Sequence, residues 1–216
     1  MGYVKSSKSA LAYLLLILTT IACVTFLISH PLWQKALSSN QPTGIEHDEG
    51  SIFTVGQLLL DGYALYRDVM YDKPLGLPYI ASVVFSVGLD WRYLVLFTIL
   101  IASVNLVLVG LIAYELYGMR TAIISSVLLA LDPLALQYSH IVTFETWSNL
   151  FGLIAIWLML VSLAKNGQFL RTKAIAAGSA AALSFLMLQS AIILPFVLLF
   201  ALPRMHMTVQ CKSIVR

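Results

Sequence analysis

Charge is scarce in this chain. Asp, Glu, Lys and Arg make up 11% of its 216 residues, against 60% hydrophobic. That excludes an ordinary soluble domain and fits a multi-span membrane protein. Cysteine is scarce too. Cys23 falls inside the first apolar run and Cys211 in a polar tail, so neither a disulfide framework nor a CxxC metal site is available. No basic block is long enough to mark nucleic-acid binding, and a net charge of +3 matters less than where the charges fall. No internal repeat or low-complexity segment is found. Acid is scarce and unevenly placed: of ten Asp and Glu, seven lie between Glu46 and Asp90. A membrane protein that gathers its carboxylates in one loop is expected to bind or do chemistry there.

The apolar runs order the chain. Residues 10–29 follow Lys5 and Lys8 and precede His30-Pro31-Leu32-Trp33. About twenty apolar residues suffice for a hydrocarbon core of ~30 Å. A signal peptide has a shorter core and a small-residue cleavage site, so this run reads as a retained anchor. A polar loop extends to about Asp90, interrupted by two short apolar pieces. Residues 51–60 carry Ile52, Val55 and Leu59 on one helical face. Residues 75–88 would rise only ~21 Å as a helix, less than an upright crossing needs. Both pieces read as helices lying on the membrane surface, with a tilted span as the other reading of 75–88. Further spans are expected at 91–117, at 121–138 after a tight turn around Gly118 and Arg120, and at 146–164. Residues 139–145 form a short loop and 165–173 a basic one. Residues 174–203 are either one long span or two short ones meeting at Gln189-Ser190. The tail 205–216 reads as polar and disordered.

Charge placement arbitrates the topology. With a cytoplasmic N-terminus, a non-crossing 75–88 segment and a hairpin at Gln189, nine of the thirteen Lys and Arg fall inside: Lys5, Lys8, Arg120, Lys165, Arg171, Lys173, Arg204, Lys212 and Arg216. The acidic loop and Glu145 then share the outer side. The expected fold is thus an all-α membrane protein in the cell membrane, with about six transmembrane helices and two juxtamembrane helices in the first external loop.

Within that frame, Asp48 and Glu49 stand out. One reading makes them helix N-terminal acids, Asp48 capping residues 51–60. The other makes one carboxylate the general base that takes a proton from a substrate hydroxyl. Glu145 is either a solvated interfacial acid or the partner of Asp48, the two converging on an acceptor or on one divalent cation, Mg²⁺ or Mn²⁺, which favour oxygen ligands. Asp132, before Pro133 in the third span, reads as structural, with a local polar partner in a broken helix. His140 is its alternative partner or a substrate ligand. Lys73 and Arg67 are the best anion ligands, the competing reading being ion pairs with Asp72 and Asp68. Tyr63, Tyr66 and Tyr71 read as interface-belt aromatics rather than sugar stackers.

Taken together, Asp48-Glu49-Gly50, Gly56-Gln57, Asp61-Gly62, Tyr66-Arg67-Asp68 and Tyr71-Asp72-Lys73-Pro74 with Gly76 resemble the first external loop of GT-C superfamily glycosyltransferases. The nearest group is that of protein mannosyltransferases, lipid A aminoarabinose transferases and RgtA/B/C/D-like enzymes. Tyr117-Gly118-Met119-Arg120, Asp132-Pro133 and Ser139 through Glu145 add weaker likeness. The resemblance covers roughly residues 10–204 and implies that residues 1–204 are the N-terminal part of a GT-C-like transmembrane domain. It implies transfer of a sugar from a polyprenyl-phosphate carrier to a lipid, glycan or protein acceptor at the outer face. Asp48 would match the catalytic acid of the first loop, Glu145 the second-loop carboxylate, and Lys73 the lysine near the carrier phosphate. Tyr66, Asp68 and His140 join the candidate substrate ligands. Leu75 stands where the family usually has a second proline. Members run to about twice this length, and the tail 205–216 looks unlike them, so a fragment, a truncated reading frame or half of a split enzyme is expected, with weak or no activity by itself. Two other classes compete. A non-catalytic subunit would bind the lipid carrier without turnover. A solute transporter would line several spans with polar groups, which here means only Asn105, Asp132 and Gln189.

Overall fold

The computed structural model describes residues 47–164 and 171–193. The expected first span and the polar tail lie outside the described residues. Everything described is helix or connection: α1 (His47–Leu60), α2 (Gly76–Ser86), α3 (Trp91–Tyr117), α4 (Met119–Leu131), α5 (Pro133–Ser139), α6 (Phe144–Ala164) and α7 (Arg171–Met187), followed by a 3-10 turn (Gln189–Ile192). The chain divides into two compact units. One takes 47–51 with Leu89–Thr143, the other Ile52–Gly88 with 144–193.

In the first unit, α3 coincides with the expected span. It starts where the Asp90 carboxylate accepts the Arg92 N–H at 2.9 Å, an N-cap that satisfies an otherwise orphaned donor. Its buried hydroxyls are spent locally. Thr98 donates to the Leu94 carbonyl and Ser103 to Ile99, both at 2.9 Å, so neither is left unsatisfied in an apolar helix. The helix ends at Gly118, whose φ of 89° and ψ of −174° belong to a region that only glycine enters freely. The chain then doubles back into α4. Leu106 and Ala130 pack together there with Leu129 and Leu136, and Ser126 Oγ reaches the Leu106 carbonyl at 3.5 Å.

The third expected span is not one rod. α4 and α5 pass the length and apolarity requirement only as a pair, bent by 67°. The cause is local. Pro133 has no N–H to give and forces Asp132 out of the helical region; Asp132 sits at φ −66°, ψ 121°. The freed terminus is recapped by the Asp132 carboxylate, which accepts the Leu134 N–H at 3.2 Å. The structural reading of Asp132 holds, and its partner is this backbone amide.

α1 is helical from His47, ahead of the expected start at residue 51, so Asp48 lies within the helix and is not the cap of residues 51–60; from Ile52 on it belongs to the second unit. Ile52 and Val55 are buried as the periodicity requires. α1 and α2 meet closely at Gly56, where a Cβ would fall 2.7 Å from that of Ala81. Phe53 and Phe85 pack edge to face, their centroids 6.4 Å apart. α2 has 11 residues, about 16 Å of rise, too short to cross upright. Its first residue, Gly76, is backed by α7: a Cβ there would meet the Leu186 carbonyl at 2.7 Å. α6 and α7 pack along Ala155, Ala180 and Ala181 with Ile154. Such small residues let helix backbones approach in membranes. The contact is also locked by a reciprocal serine pair: Ser148 Oγ donates to the Ser184 carbonyl at 3.1 Å and Ser184 Oγ to the Ser148 carbonyl at 2.9 Å.

α7 starts at Arg171, so Arg171 and Lys173 belong to the helix and not to the expected loop. It stops where Leu188 turns extended, at φ −147°, ψ 122°, which places the expected interruption at Gln189. Whether the chain reverses beyond it lies outside the described residues. Among the described residues, α3 and α6 are long and apolar enough to cross a membrane, and the α4–α5 pair makes a third if counted as one span. The protein is an all-α membrane protein.

Candidate active site

The connection between α1 and α2 is a built turn. Gly62, at φ 91°, lets the chain leave α1, with the Tyr63 N–H still bonded to the Leu58 carbonyl at 3.0 Å. The chain then folds on itself. Asp68 N–H donates to the Ala64 carbonyl at 2.9 Å, and the Asp68 carboxylate accepts the Ala64 N–H at 2.9 Å. Tyr66 N–H donates to the Val69 carbonyl at 2.9 Å. Arg67 grips the same carboxylate with two parallel bonds, Nε to Oδ1 at 2.9 Å and Nη2 to Oδ2 at 2.8 Å. Of the two readings of Arg67, the structure shows the ion pair with Asp68. The Arg67 guanidinium, followed by the Ala64 amide, holds the Asp68 carboxyl below its ordinary value. The same bond raises Arg67 further.

Tyr66 is strained. Its φ of 66° makes it the non-glycine residue in the left-handed region among those described, a conformation costing about 1–3 kcal/mol for a bulky side chain. That cost is opposed by the turn's hydrogen bonds and by the Tyr66 hydroxyl, which donates to the Lys73 carbonyl at 2.7 Å. Lys73 is in turn half-buried, its Nζ 5.3 Å from the centroid of the Phe144 ring. Phe144 is 2% exposed, and a cation held over such a ring gains about 1 kcal/mol. Tyr63 and Tyr66 are half-exposed, as belt aromatics would be, whereas Tyr71 is buried. Glu145 follows Phe144 in the first turn of α6, exposed, where an acid favours the helix dipole.

In the other unit, Glu49 is 3% exposed and its Oε1 accepts the Val142 N–H at 3.2 Å. A carboxylate spending an oxygen on a buried amide ties the start of α1 to the segment before α6. His140 is buried as well, at the C-terminus of α5. Its Nδ1 stands 2.7 Å from the Leu136 carbonyl and 2.9 Å from Ser139 Oγ. Because Ser139 Oγ donates to that same carbonyl at 2.7 Å, the arrangement suits a proton on Nδ1 directed at Leu136.

The candidates therefore fall into separate groups. Tyr66, Arg67, Asp68 and Lys73 share one turn, with Glu145 in the same unit. Glu49 and His140 belong to the other unit. The Asp48 side chain lies outside the described residues, and so does its pairing with Glu145. The metal reading needs Asp48. Among the described residues no group of three or more His, Cys, Asp or Glu could hold an ion. Phe144 and Val142 are partners that sequence reasoning passed over. The only signal for them was that the loop 139–145 carries apolar residues at Ile141, Val142 and Phe144.

Residues 72–214 match the family described as dolichyl-phosphate-mannose-protein mannosyltransferase. The match starts one residue before Lys73 and takes in His140 and Glu145, while Asp48, Glu49, Tyr66, Arg67 and Asp68 precede it. It also runs through most of the tail, so the expectation that residues 205–216 are unlike the family is corrected. No curated protein and no solved structure matches the chain. With apolar helices of spanning length and a match over more than half of its residues, the chain belongs to the dolichyl-phosphate-mannose-protein mannosyltransferase family, a group of GT-C-type membrane glycosyltransferases.

Proposed function

We propose that the protein moves a sugar from a polyprenyl-phosphate carrier to an acceptor hydroxyl of a lipid, glycan or protein at the outer membrane face. The observation that carries this reading is the presentation of Lys73. In an apolar chain with few charges, one ammonium is held by a fixed turn against a buried ring, at the point where the family match begins. Lys73 is the phosphate ligand. Arg67, already held by Asp68, adds positive charge nearby in the chain.

The reaction is a single displacement. The acceptor oxygen bonds to the anomeric carbon as the bond from that carbon to the phosphate oxygen breaks. The electron pair leaves with the polyprenyl phosphate, and the anomeric configuration inverts. Lys73 stabilises the negative charge where it develops, which is where a fixed cation lowers a barrier most. Asp48 takes the acceptor's proton as general base, with Glu145 as the second carboxylate. Glu49, committed to Val142, positions the first turn of α1 and so the backbone of Asp48.

The experiment measures transfer from a polyprenyl-phosphate sugar in membranes containing the full chain and its Asp48→Asn and Lys73→Met variants. Loss of about a hundredfold or more is expected for Asp48→Asn, the range for a removed general base. Transfer at the parent rate would remove that residue from the mechanism. Carrier binding without turnover in the parent chain would favour the non-catalytic subunit.

A further inference from the structure

We infer that Tyr66 is a positioning residue for Lys73, acting through its hydroxyl and its strained backbone rather than by touching substrate. The inference rests on the reading of Lys73 as ligand of the carrier phosphate. Three observations carry it. Tyr66 occupies the left-handed region at φ 66°, which a bulky residue holds only where its surroundings dictate it. Its hydroxyl is not offered outward, as a sugar-binding tyrosine's would be; it donates to the Lys73 carbonyl at 2.7 Å, seven residues on. The turn on either side is closed independently by the Arg67–Asp68 pair and by the Asp68 bond to the Ala64 amide. Lys73 is thus fixed at both ends, its carbonyl by Tyr66 and its ammonium by the face of Phe144. A flexible four-carbon side chain gives up much of its rotamer freedom when it must meet an anion. Fixing its root and resting its head on a ring removes part of that cost before the ligand arrives. The hydroxyl, and not the ring, is the part of Tyr66 that does this: the residue is 57% exposed.

The test is a double-mutant cycle read by binding, so that catalytic competence is not required. Radiolabelled geranylgeranyl phosphate is titrated onto the detergent-solubilised full chain, with geranylgeraniol as the uncharged control. Lys73→Met is expected to weaken phosphate binding about tenfold, the share of one charge-assisted contact. Tyr66→Phe is expected to weaken it about fivefold, as for one neutral hydrogen bond, and to add nothing once Lys73 is already Met. Geranylgeraniol binding should be indifferent to both. Parent-like binding by Tyr66→Phe while Lys73→Met fails would overturn the positioning role and leave the Lys73 reading standing. Parent-like binding by Lys73→Met would overturn both. A loss on Tyr66→Phe that persists undiminished in the Lys73→Met background would show an effect that does not pass through Lys73. Should Tyr66→Phe not fold, Tyr66→Asn repeats the cycle, since Asn tolerates the left-handed backbone and is too short to reach the carbonyl.

Discussion

At the scale of single residues, polar groups here are rarely idle. Asp68 serves its own turn twice, through Arg67 and through the Ala64 amide, and both bonds favour its charged form. Its pKa is therefore lowered in the folded chain. The sign follows: the turn's stability is fully present above the ordinary aspartate value of about 3.9 and is lost as pH falls through the lowered one. A carbon-13 titration of the Asp68 carboxyl should show a midpoint below that of free aspartate, and Asp68→Asn should speed exchange of the Ala64 amide at neutral pH. A midpoint at or above the ordinary value would mean the pair does not form in solution. Arg67 stays charged throughout, so it contributes no pH dependence of its own. The residue scale is also where reading the sequence was weakest. Adjacent Arg67 and Asp68 need not face one another on a regular element. They do so here because the turn is irregular.

Helices are the scale at which composition speaks most clearly. α3 and α6 fall close to the expected spans because long apolar runs have one way to satisfy their backbone in lipid. The start of α4 at Gly118 and the break at Asp132-Pro133 each sit at a residue whose chemistry forbids or recaps a helix, whereas α7 stops near Gln189 with no side-chain cap. The α6–α7 contact is different, since α7 carries alanines on more than one side. Ala180 is buried while Ala176 is exposed. Ala180→Leu should cost about 1–3 kcal/mol by overpacking, and Ala176→Leu close to nothing. Thermal unfolding of the detergent-solubilised variants decides this; equal midpoints would place the α7 seam on another face.

For the whole molecule, charge placement gives a definite expectation of orientation. In a chain whose native cysteines have been replaced, a cysteine at Tyr63 should react with a membrane-impermeant maleimide added outside intact cells. One at Gln168 should react only after the membrane is opened. The reverse pattern would put the Lys73 turn on the cytoplasmic side and remove the outer-face acceptor from the proposal.

By itself the sequence determined the medium, the main spans, the breakpoints and the loop that holds the candidate chemistry. These follow from the one-dimensional distribution of apolar runs, prolines, glycines and rare charges, and from the cost of an unpaired backbone in lipid. Only the tertiary structure decided what those charges do. Glu49 meets Val142 across 93 positions, Lys73 rests on Phe144, and Ser148 locks to Ser184. Contacts between distant segments leave no periodicity to read. They depend on which helix faces pack, and packing is decided by shape and by the need of buried polar groups for partners.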